Sequence, residues 1–432
     1  MVRTALAALL SFLVAPAYSQ DSLQSYLDQK DYFRLAVALD QEAPHLDPLD
    51  RAYFQVFTDN AFGRNSWSIQ EARALLNRGR QSVARRVALW LVQEDNYCKM
   101  GWYADAAACC DTLVCNFGDL LDSDHLAEVT NDQALWHSLA GVPPPEVYLP
   151  GAVSIRWTRD RAGLMEVPIR KDSTLYDFVF DTGAGLSTIS ESFADELKLR
   201  RLSGTPLVND STGAVNDTTG ARNRSLLAVA DTLYLGTVLL KNVVFLVLPD
   251  SELTFSEINL SIKAILGLPI IAQLGELHIM QEGLLTLEPD PRLNPCNMKP
   301  VGWWSNLALN GWSPIVSVIV EGDTLSFHFD TGASGTELYP TYLARHGARV
   351  KNLGMEVAGR RVILHRVDVT RICPASRGCP VSRGSKASRG SKASRGSKAS
   401  YGDAFYGNLG QDVIGKFPEM VLDFKHMYVA FP

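Results

Sequence analysis

Apolar residues in the first third of the chain recur with the period of an amphipathic α-helix, about 3.6 residues per turn. The clearest faces are formed by Tyr32, Leu35, Ala36 and Leu39, and by Val83, Val87, Trp90 and Leu91. This pattern predicts an α-helical domain over residues 20–142. The run Pro143-Pro144-Pro145 then stiffens the chain and ends the helical pattern.

From Val153 onward, short β-rich segments are separated by Gly, Asn and Asp. They include Leu175–Phe180, Leu226–Val229, Thr232–Leu235, Val243–Leu248 and Leu284–Leu287. A second proline-rich joint lies between residues 289 and 300. The fold class expected is therefore multidomain, α then all-β, with two β-rich halves over residues 151–288 and 301–432.

The two halves repeat one motif. The tetrapeptide Asp-Thr-Gly-Ala occurs at Asp181–Ala184 and again at Asp330–Ala333, each time after an alternating apolar stretch. An apolar-apolar-Gly turn follows each motif at nearly the same distance, as Ile265-Leu266-Gly267 and as Val413-Ile414-Gly415. We interpret the halves as an internal repeat.

The repeat predicts a paired-carboxylate site. An aspartate at a strand-to-turn junction projects its carboxylate beyond the sheet, and the following glycine permits close approach of another backbone. If the halves pack about a pseudo-twofold axis, Asp181 and Asp330 meet and share one proton. Such a pair can activate a water and polarise a carbonyl, which is general acid–base hydrolysis of a peptide bond.

The two D-T-G-A-x-x-[Ser/Thr] turns, with their later apolar-apolar-Gly turns, resemble those of aspartic peptidases. The alanine after each glycine is similar to the retropepsin-like branch, and the run from Gly407 to Asp412 resembles the single-chain, two-lobed bacterial type. The resemblance covers roughly residues 150–432. It implies a bilobal aspartic-protease-like β-barrel fold, with lobe 1 and lobe 2 on one chain.

The resemblance also implies roles for individual residues. Asp181 and Asp330 would be the catalytic pair, closed over by β-hairpin flaps within Val208–Ala221 and near Glu356–Leu364. The threonines would link the two turns, the glycines would permit close approach, and the small alanines would leave room beside the pair. These supporting residues are Thr182, Gly183, Ala184, Thr331, Gly332 and Ala333.

Composition limits the classes of partner. The 432 residues are 46% hydrophobic with a net charge of −6, which is ordinary for a globular protein and gives no reason to expect nucleic acid. A basic start and a short apolar stretch predict a signal peptide over residues 1–19, removed before Gln20. No stretch is long and apolar enough to span a membrane. We therefore expect an exported protein, periplasmic or secreted.

The seven cysteines show no zinc-binding spacing, and the chain shows no other cofactor motif. Cys373 and Cys379 could close a small disulfide loop in an oxidising compartment. Three copies of Ser-Arg-Gly-Ser-Lys-Ala fill residues 382–399, and this composition predicts a disordered insertion in lobe 2.

Two alternatives stay open at this point. The stretch from Gly101 to Ala107 resembles the second helix of a tetratricopeptide-type hairpin, although a plain helical bundle fits the helical region equally well. The function expected is that of an exported aspartic endopeptidase acting on a peptide or protein substrate. The rivals are a catalytically inactive peptide-binding module and a helical-repeat scaffold whose helical domain binds a protein partner.

Overall fold

A computed structural model of the chain describes residues 20–203, 207–208, 224–287, 306–347, 351–369 and 404–432. The predicted signal peptide, the basic insertion and the predicted cysteine pair Cys373 and Cys379 lie outside these ranges. The helices of the first part are α1 (Gln20–Asp28), α2 (Tyr32–Glu42), α3 (Pro48–Ala61), α4 (Asn65–Arg78), α5 (Val83–Lys99), α6 (Tyr103–Phe117) and α7 (Ser123–Leu139). The predicted helical region is confirmed, whereas its tetratricopeptide character stays a prediction.

Several of these helices begin at a residue whose side chain satisfies a free backbone N–H group. Asp31 caps α2, Ser82 caps α5 and Asp122 caps α7, each by accepting from the N–H three residues further on. Helix α4 ends at Gly79, whose φ of +66° suits glycine at the end of a helix. Local sequence thus sets these helix boundaries.

Helix α5 differs from its predicted face. Val83 is 49% exposed, and the buried part of α5 includes polar side chains. Asn60 on α3 donates to Asp95 at 2.7 Å, and Asn96 donates to Ser68 on α4 at 2.8 Å. Buried polar groups that satisfy one another in this way are tolerated inside a core, and a search for apolar periodicity does not find them.

Lobe 1 and the strands leading into it form the next part of the chain. The elements are β1 (Glu146–Tyr148), β2 (Val153–Arg156), β3 (Thr158–Arg159), β4 (Met165–Lys171), β5 (Thr174–Phe180), β6 (Ser187–Ser190), α8 (Glu191–Glu196), β7 (Arg200–Arg201), β8 (Leu207–Val208), β9 (Arg224–Leu235), β10 (Val238–Leu248), β11 (Thr254–Phe255), β12 (Leu260–Ser261), β13 (Ala264–Leu266), α9 (Leu268–Ile271), β14 (Glu276–Met280) and β15 (Leu284–Leu287). The main sheet runs β1-β10-β6-β13-β5-β4-β9-β7. Because β9 pairs with both β4 and β10, this sheet closes into a barrel-like form.

Lobe 2 repeats the arrangement on a smaller scale. Its elements are β16 (Leu307–Asn310), β17 (Ser313–Val320), β18 (Asp323–Phe329), β19 (Glu337–Leu338), α10 (Pro340–His346), β20 (Lys351–Val357), β21 (Arg360–Arg366), β22 (Asp368–Val369), β23 (Gly407–Leu409), α11 (Gln411–Ile414), β24 (Glu419–Asp423) and β25 (Tyr428–Ala430). The sheet order is β21-β20-β17-β18-β23-β19-β22. The fold class expected from the sequence, α then bilobal all-β, is confirmed.

A separate sheet joins the two lobes. The strand order is β2-β15-β14-β24-β25, in which β14 of lobe 1 pairs antiparallel with β24 of lobe 2. Within it, His278 of β14 contacts Glu276 at 2.9 Å and Glu419 of β24 at 2.8 Å. The last strands of each half thus connect the lobes and set their relative position.

The helical region contacts both lobes. Tyr32 donates to Asn310 of lobe 2 at 3.2 Å, and Arg34 donates to the backbone oxygen of Thr324 at 3.0 Å. On the other side, buried residues of α6 and α7 share an apolar cluster with Val229 and Val244 of lobe 1.

Among the described residues, no helix is both long enough and apolar enough to cross a membrane. The division of the chain at residues 142, 151 and 301 stays a prediction.

Candidate active site

Equivalent backbone positions carry the two repeated aspartates. Asp181 directly follows β5, and its N–H donates to the backbone oxygen of Leu266 on β13 at 3.1 Å. Asp330 directly follows β18, and its N–H donates to the oxygen of Leu409 on β23 at 3.0 Å. In both lobes the two strands are parallel neighbours. Each aspartate therefore directly follows the buried end of its strand.

The structure brings the two carboxyl groups together at the boundary between the lobes. The exposed fraction is 1% for Asp181 and 8% for Asp330, and the two side chains are hydrogen-bonded to each other. Each also accepts from its own turn, Asp181 from the N–H of Gly183 at 2.7 Å and Asp330 from the N–H of Gly332 at 2.8 Å. The result is a buried pair of carboxyl groups.

The two threonines link the turns reciprocally. The Thr182 hydroxyl donates to the oxygen of Phe329 at 3.0 Å and accepts from the N–H of Thr331 at 3.1 Å. The Thr331 hydroxyl donates to the oxygen of Phe180 at 2.8 Å and accepts from the N–H of Thr182 at 3.0 Å. These four hydrogen bonds are buried, and they hold the two turns in one fixed arrangement.

The carboxyl group of the opposite lobe requires glycine at positions 183 and 332. A Cβ atom on Gly332 would lie 2.2 Å from Cγ of Asp181, and one on Gly183 would lie 2.6 Å from Cγ of Asp330. Neither distance leaves room for any side chain. The adjacent alanines are buried, and their backbone oxygens accept from the N–H groups of Leu268, which begins α9, and Gln411, which begins α11.

Burial raises the pKa of both aspartates. The pKa of Asp181 lies well above its usual range because the group is buried and because Asp330 carries charge beside it. Burial raises the pKa of Asp330 as well, but a hydrogen bond from Asn408 opposes that rise. The two carboxyl groups titrate as one coupled system that holds a shared proton over a range of pH.

One predicted correspondence between the lobes is wrong. The counterpart of Gly267 is Gly410, not Gly415, because Leu409 pairs with Phe329 as Leu266 pairs with Phe180. A Cβ on either glycine would meet the backbone beyond its own Asp-Thr-Gly turn, at 2.7 Å and 2.6 Å respectively. Gly415 instead ends the short helix α11. Val413 and Ile414 belong to that helix, and with Gly415 they form an apolar-apolar-Gly sequence that matches the expected turn only by composition.

The corrected register reveals a residue that sequence reasoning missed. Asn408 lies on β23 and donates to Asp330 Oδ2 at 2.8 Å. The run containing it, Gly407 to Asp412, had drawn attention only through its family resemblance. Aligning the two turns on their glycines would have exposed a polar residue at an otherwise apolar position.

The predicted flaps fall partly outside the described residues. In lobe 2, β20 and β21 form an antiparallel hairpin across Glu356–Leu364, as the resemblance implied. In lobe 1, the predicted flap at Val208–Ala221 lies outside the described residues apart from Val208 itself, which ends β8.

Among the described residues, no group of three or more His, Cys, Asp or Glu side chains could hold a metal ion.

Comparison with known proteins bears on the first of the two motifs. The family model described as "Aspartyl protease" matches residues 167–270, a span that includes the whole first Asp-Thr-Gly-Ala motif and Gly267. This span is therefore similar to the aspartyl protease family. The match supports a protease-type function at this coarse level.

Among solved structures, the chain is similar to a retropepsin-like aspartic protease from Rickettsia conorii, with 20% identity and a TM-score of 0.21. The similarity covers 32% of this chain and 100% of that one. No curated protein sequence matches this chain. The aspartyl protease assignment thus rests on the family match in lobe 1.

Proposed function

We propose that this chain is an aspartic endopeptidase in which Asp181 and Asp330 hydrolyse peptide bonds through an activated water. The observation that carries the proposal is the contact between two buried carboxyl groups contributed by the two lobes. Carboxyl groups this close do not both ionise at moderate pH, so one acts as base while the other acts as acid.

In the proposed mechanism, the ionised carboxylate takes a proton from a water bound between the pair. That water attacks the carbonyl carbon of the peptide bond while the protonated carboxyl donates to the carbonyl oxygen. The resulting tetrahedral intermediate then breaks down by proton transfer to the leaving nitrogen. No covalent bond forms between the protein and the substrate.

The supporting residues have a positioning role in this proposal. Thr182 and Thr331 prevent the turns from separating, while Gly183 and Gly332 let the carboxylates reach each other. Catalysis depends on such fixed geometry, since a displacement of about 1 Å is enough to lower a rate about 100-fold. We further propose, from the pattern of residues 1–19, that the protein is exported, and that the helical region binds a protein partner.

The test is digestion of a peptide library, read by mass spectrometry at acidic and neutral pH. We expect cleavage by the wild type and its loss by at least about 100-fold in Asp181→Asn and in Asp330→Asn. The matched control is Asp172→Asn, the same change at an exposed position of lobe 1, which should cut normally. Circular dichroism checks that each variant is folded.

The alternatives give different results in the same experiment. Peptides that bind to the wild type but are never cut would support the inactive peptide-binding module. Cleavage that persists unchanged in either aspartate variant would place the chemistry elsewhere.

A further inference from the structure

The two lobes differ at a strand position close to the aspartates in sequence register. Ile265 on β13 is paired with Val179, two residues before Asp181, and Asn408 on β23 is paired with His328, two residues before Asp330. The same register therefore places Ile265 and Asn408 at equivalent points. Lobe 1 has a buried hydrocarbon there, whereas lobe 2 has a hydrogen-bond donor.

This difference gives the aspartates unequal surroundings. Each accepts from the two backbone N–H groups of its own turn, at Gly183 and Ala184 in lobe 1 and at Gly332 and Ala333 in lobe 2. Asp330 also accepts from Asn408 on Oδ2, while Oδ1 accepts from the N–H of Gly332. Ile265 cannot donate to Asp181.

The donor on Asp330 favours the ionised form of that group. An amide N–H bonded to a carboxylate is a charge-assisted hydrogen bond, and in a buried site it is stronger than in water. Among the described residues, Asp181 accepts from no such side-chain donor, and it lies against the negative charge of its neighbour. The proton shared by the pair is therefore more stable on Asp181.

We propose that Asn408 is a positioning residue that keeps the shared proton on Asp181 and leaves Asp330 as the base. This inference rests on the proposed peptidase function for its catalytic meaning, but its statement about the proton concerns the pair itself. Asp330 then receives the proton of the attacking water, and Asp181 donates to the carbonyl oxygen of the substrate. The two sequence motifs are alike, but their chemical roles are not interchangeable.

The proposal predicts opposite effects for two matched substitutions. Asn408→Ile gives lobe 2 the residue of lobe 1, and it should raise the lower of the two macroscopic pKa values of the pair by about 1–2 pH units. The upper value should stay in place, because Asp330 is already ionised before the second proton leaves. Ile265→Asn adds a donor to Asp181 and should lower the upper value while changing the lower one little.

The measurement is a carbon-13 NMR titration of the aspartate carboxyl groups in wild type and both variants, with the two Asp→Asn variants used to assign the signals. The pH dependence of kcat/KM for a cleaved peptide is the second readout. Asn408→Ile should move only the acid limb upward, and Ile265→Asn should move only the alkaline limb downward. A merely structural role would lower activity without moving either limb.

Equal movement of both pKa values in both variants, or no movement in either, would overturn the proposal. Because the NMR titration needs no turnover, a wild type that cuts no peptide would contradict the proposed function and leave the proton assignment open to the same test. A normal peptidase whose titration is insensitive to Asn408 would contradict the assignment alone.

Discussion

Lobe 1 and lobe 2 have the same scaffold around the carboxyl pair, but they differ in the polarity of the segment that packs against it. In both, an aspartate follows the buried end of a strand, and its N–H donates to a parallel neighbouring strand that is followed by glycine. After that strand, lobe 1 has apolar Leu268 and Pro269, whereas lobe 2 has Gln411 and Asp412. The shared scaffold sets where the carboxylates lie, and the unshared residues set what each can do.

The polar residues of lobe 2 brace its turn further. Gln411 donates to the backbone oxygen of Thr331 at 2.8 Å, and Asp412 accepts from the Thr336 hydroxyl at 2.6 Å. The Thr336 hydroxyl also accepts from the N–H of Gly410, as Ser187 does from the N–H of Gly267 in lobe 1. Lobe 2 thus keeps the bond common to both lobes and adds others. The two lobes therefore differ beside the carboxyl pair, although the backbone bonds that hold the two aspartates are equivalent.

The largest expected effect tests the part that the lobes share. Gly332→Ala would place a Cβ 2.2 Å from Cγ of Asp181, so the carboxylate must move. We expect kcat/KM to fall at least about 100-fold. Gly335→Ala, in the same turn, is the control because its Cβ would meet no atom within 4 Å. Similar rates for the two variants would show that the close approach is not needed.

The next largest effect tests the reciprocal hydrogen bonds between Thr182 and Thr331 and the opposite turns. Thr182→Val and Thr331→Val keep the shape of the side chain, but each leaves the buried oxygen of Phe329 or Phe180 without its donor. Each should lower the free energy of unfolding by about 1–3 kcal/mol, measured by urea denaturation. Thr→Ser at the same positions keeps the hydroxyl and should cost less. If only one of the two Thr→Val variants lost stability, the result would contradict the reciprocal arrangement.

Much of this arrangement could be predicted from the sequence, because one motif occurs twice and its chemistry needs two carboxylates. The helical region and β-rich segments such as Leu284–Leu287 also followed from periodicity and alternation. The role of Asn408 could not be predicted in this way. The sequence search looked for two apolar residues before a glycine, and Val413-Ile414-Gly415 matched that pattern better than Asn408-Leu409-Gly410. The buried polar side chains of α3 and α5 were missed for a related reason, since periodicity counts only apolar residues.

The smallest effect concerns His328, whose equivalent in lobe 1 is Val179. Its ring packs on Phe405 with a centroid separation of 4.4 Å, and burial, with a smaller contribution from the charge of Lys30, lowers its pKa to about 4. His328→Val should leave kcat/KM within about twofold, because the ring contacts neither carboxylate. A larger fall would give the histidine a role in catalysis.

The same variant has a pH signature. Because the folded-state pKa of His328 lies below its ordinary value of 6.5, the wild type should lose stability as pH falls from about 6.5 toward 4. His328→Val lacks this group. The free energy of unfolding of the wild type, measured relative to the variant, should therefore decline over that range. A constant difference would show that the histidine is not buried in its neutral form.

The central claim is that one chain supplies both halves of a single site. The most direct measurement mixes the Asp181→Asn and Asp330→Asn variants, including after joint unfolding and refolding, and compares peptide cleavage with that of the wild type. If both aspartates of a site come from one chain, every site in the mixture lacks one of them, and the mixture stays as inactive as each variant alone. Recovery of a substantial fraction of wild-type activity would show that aspartates from different chains combine, and it would contradict the account.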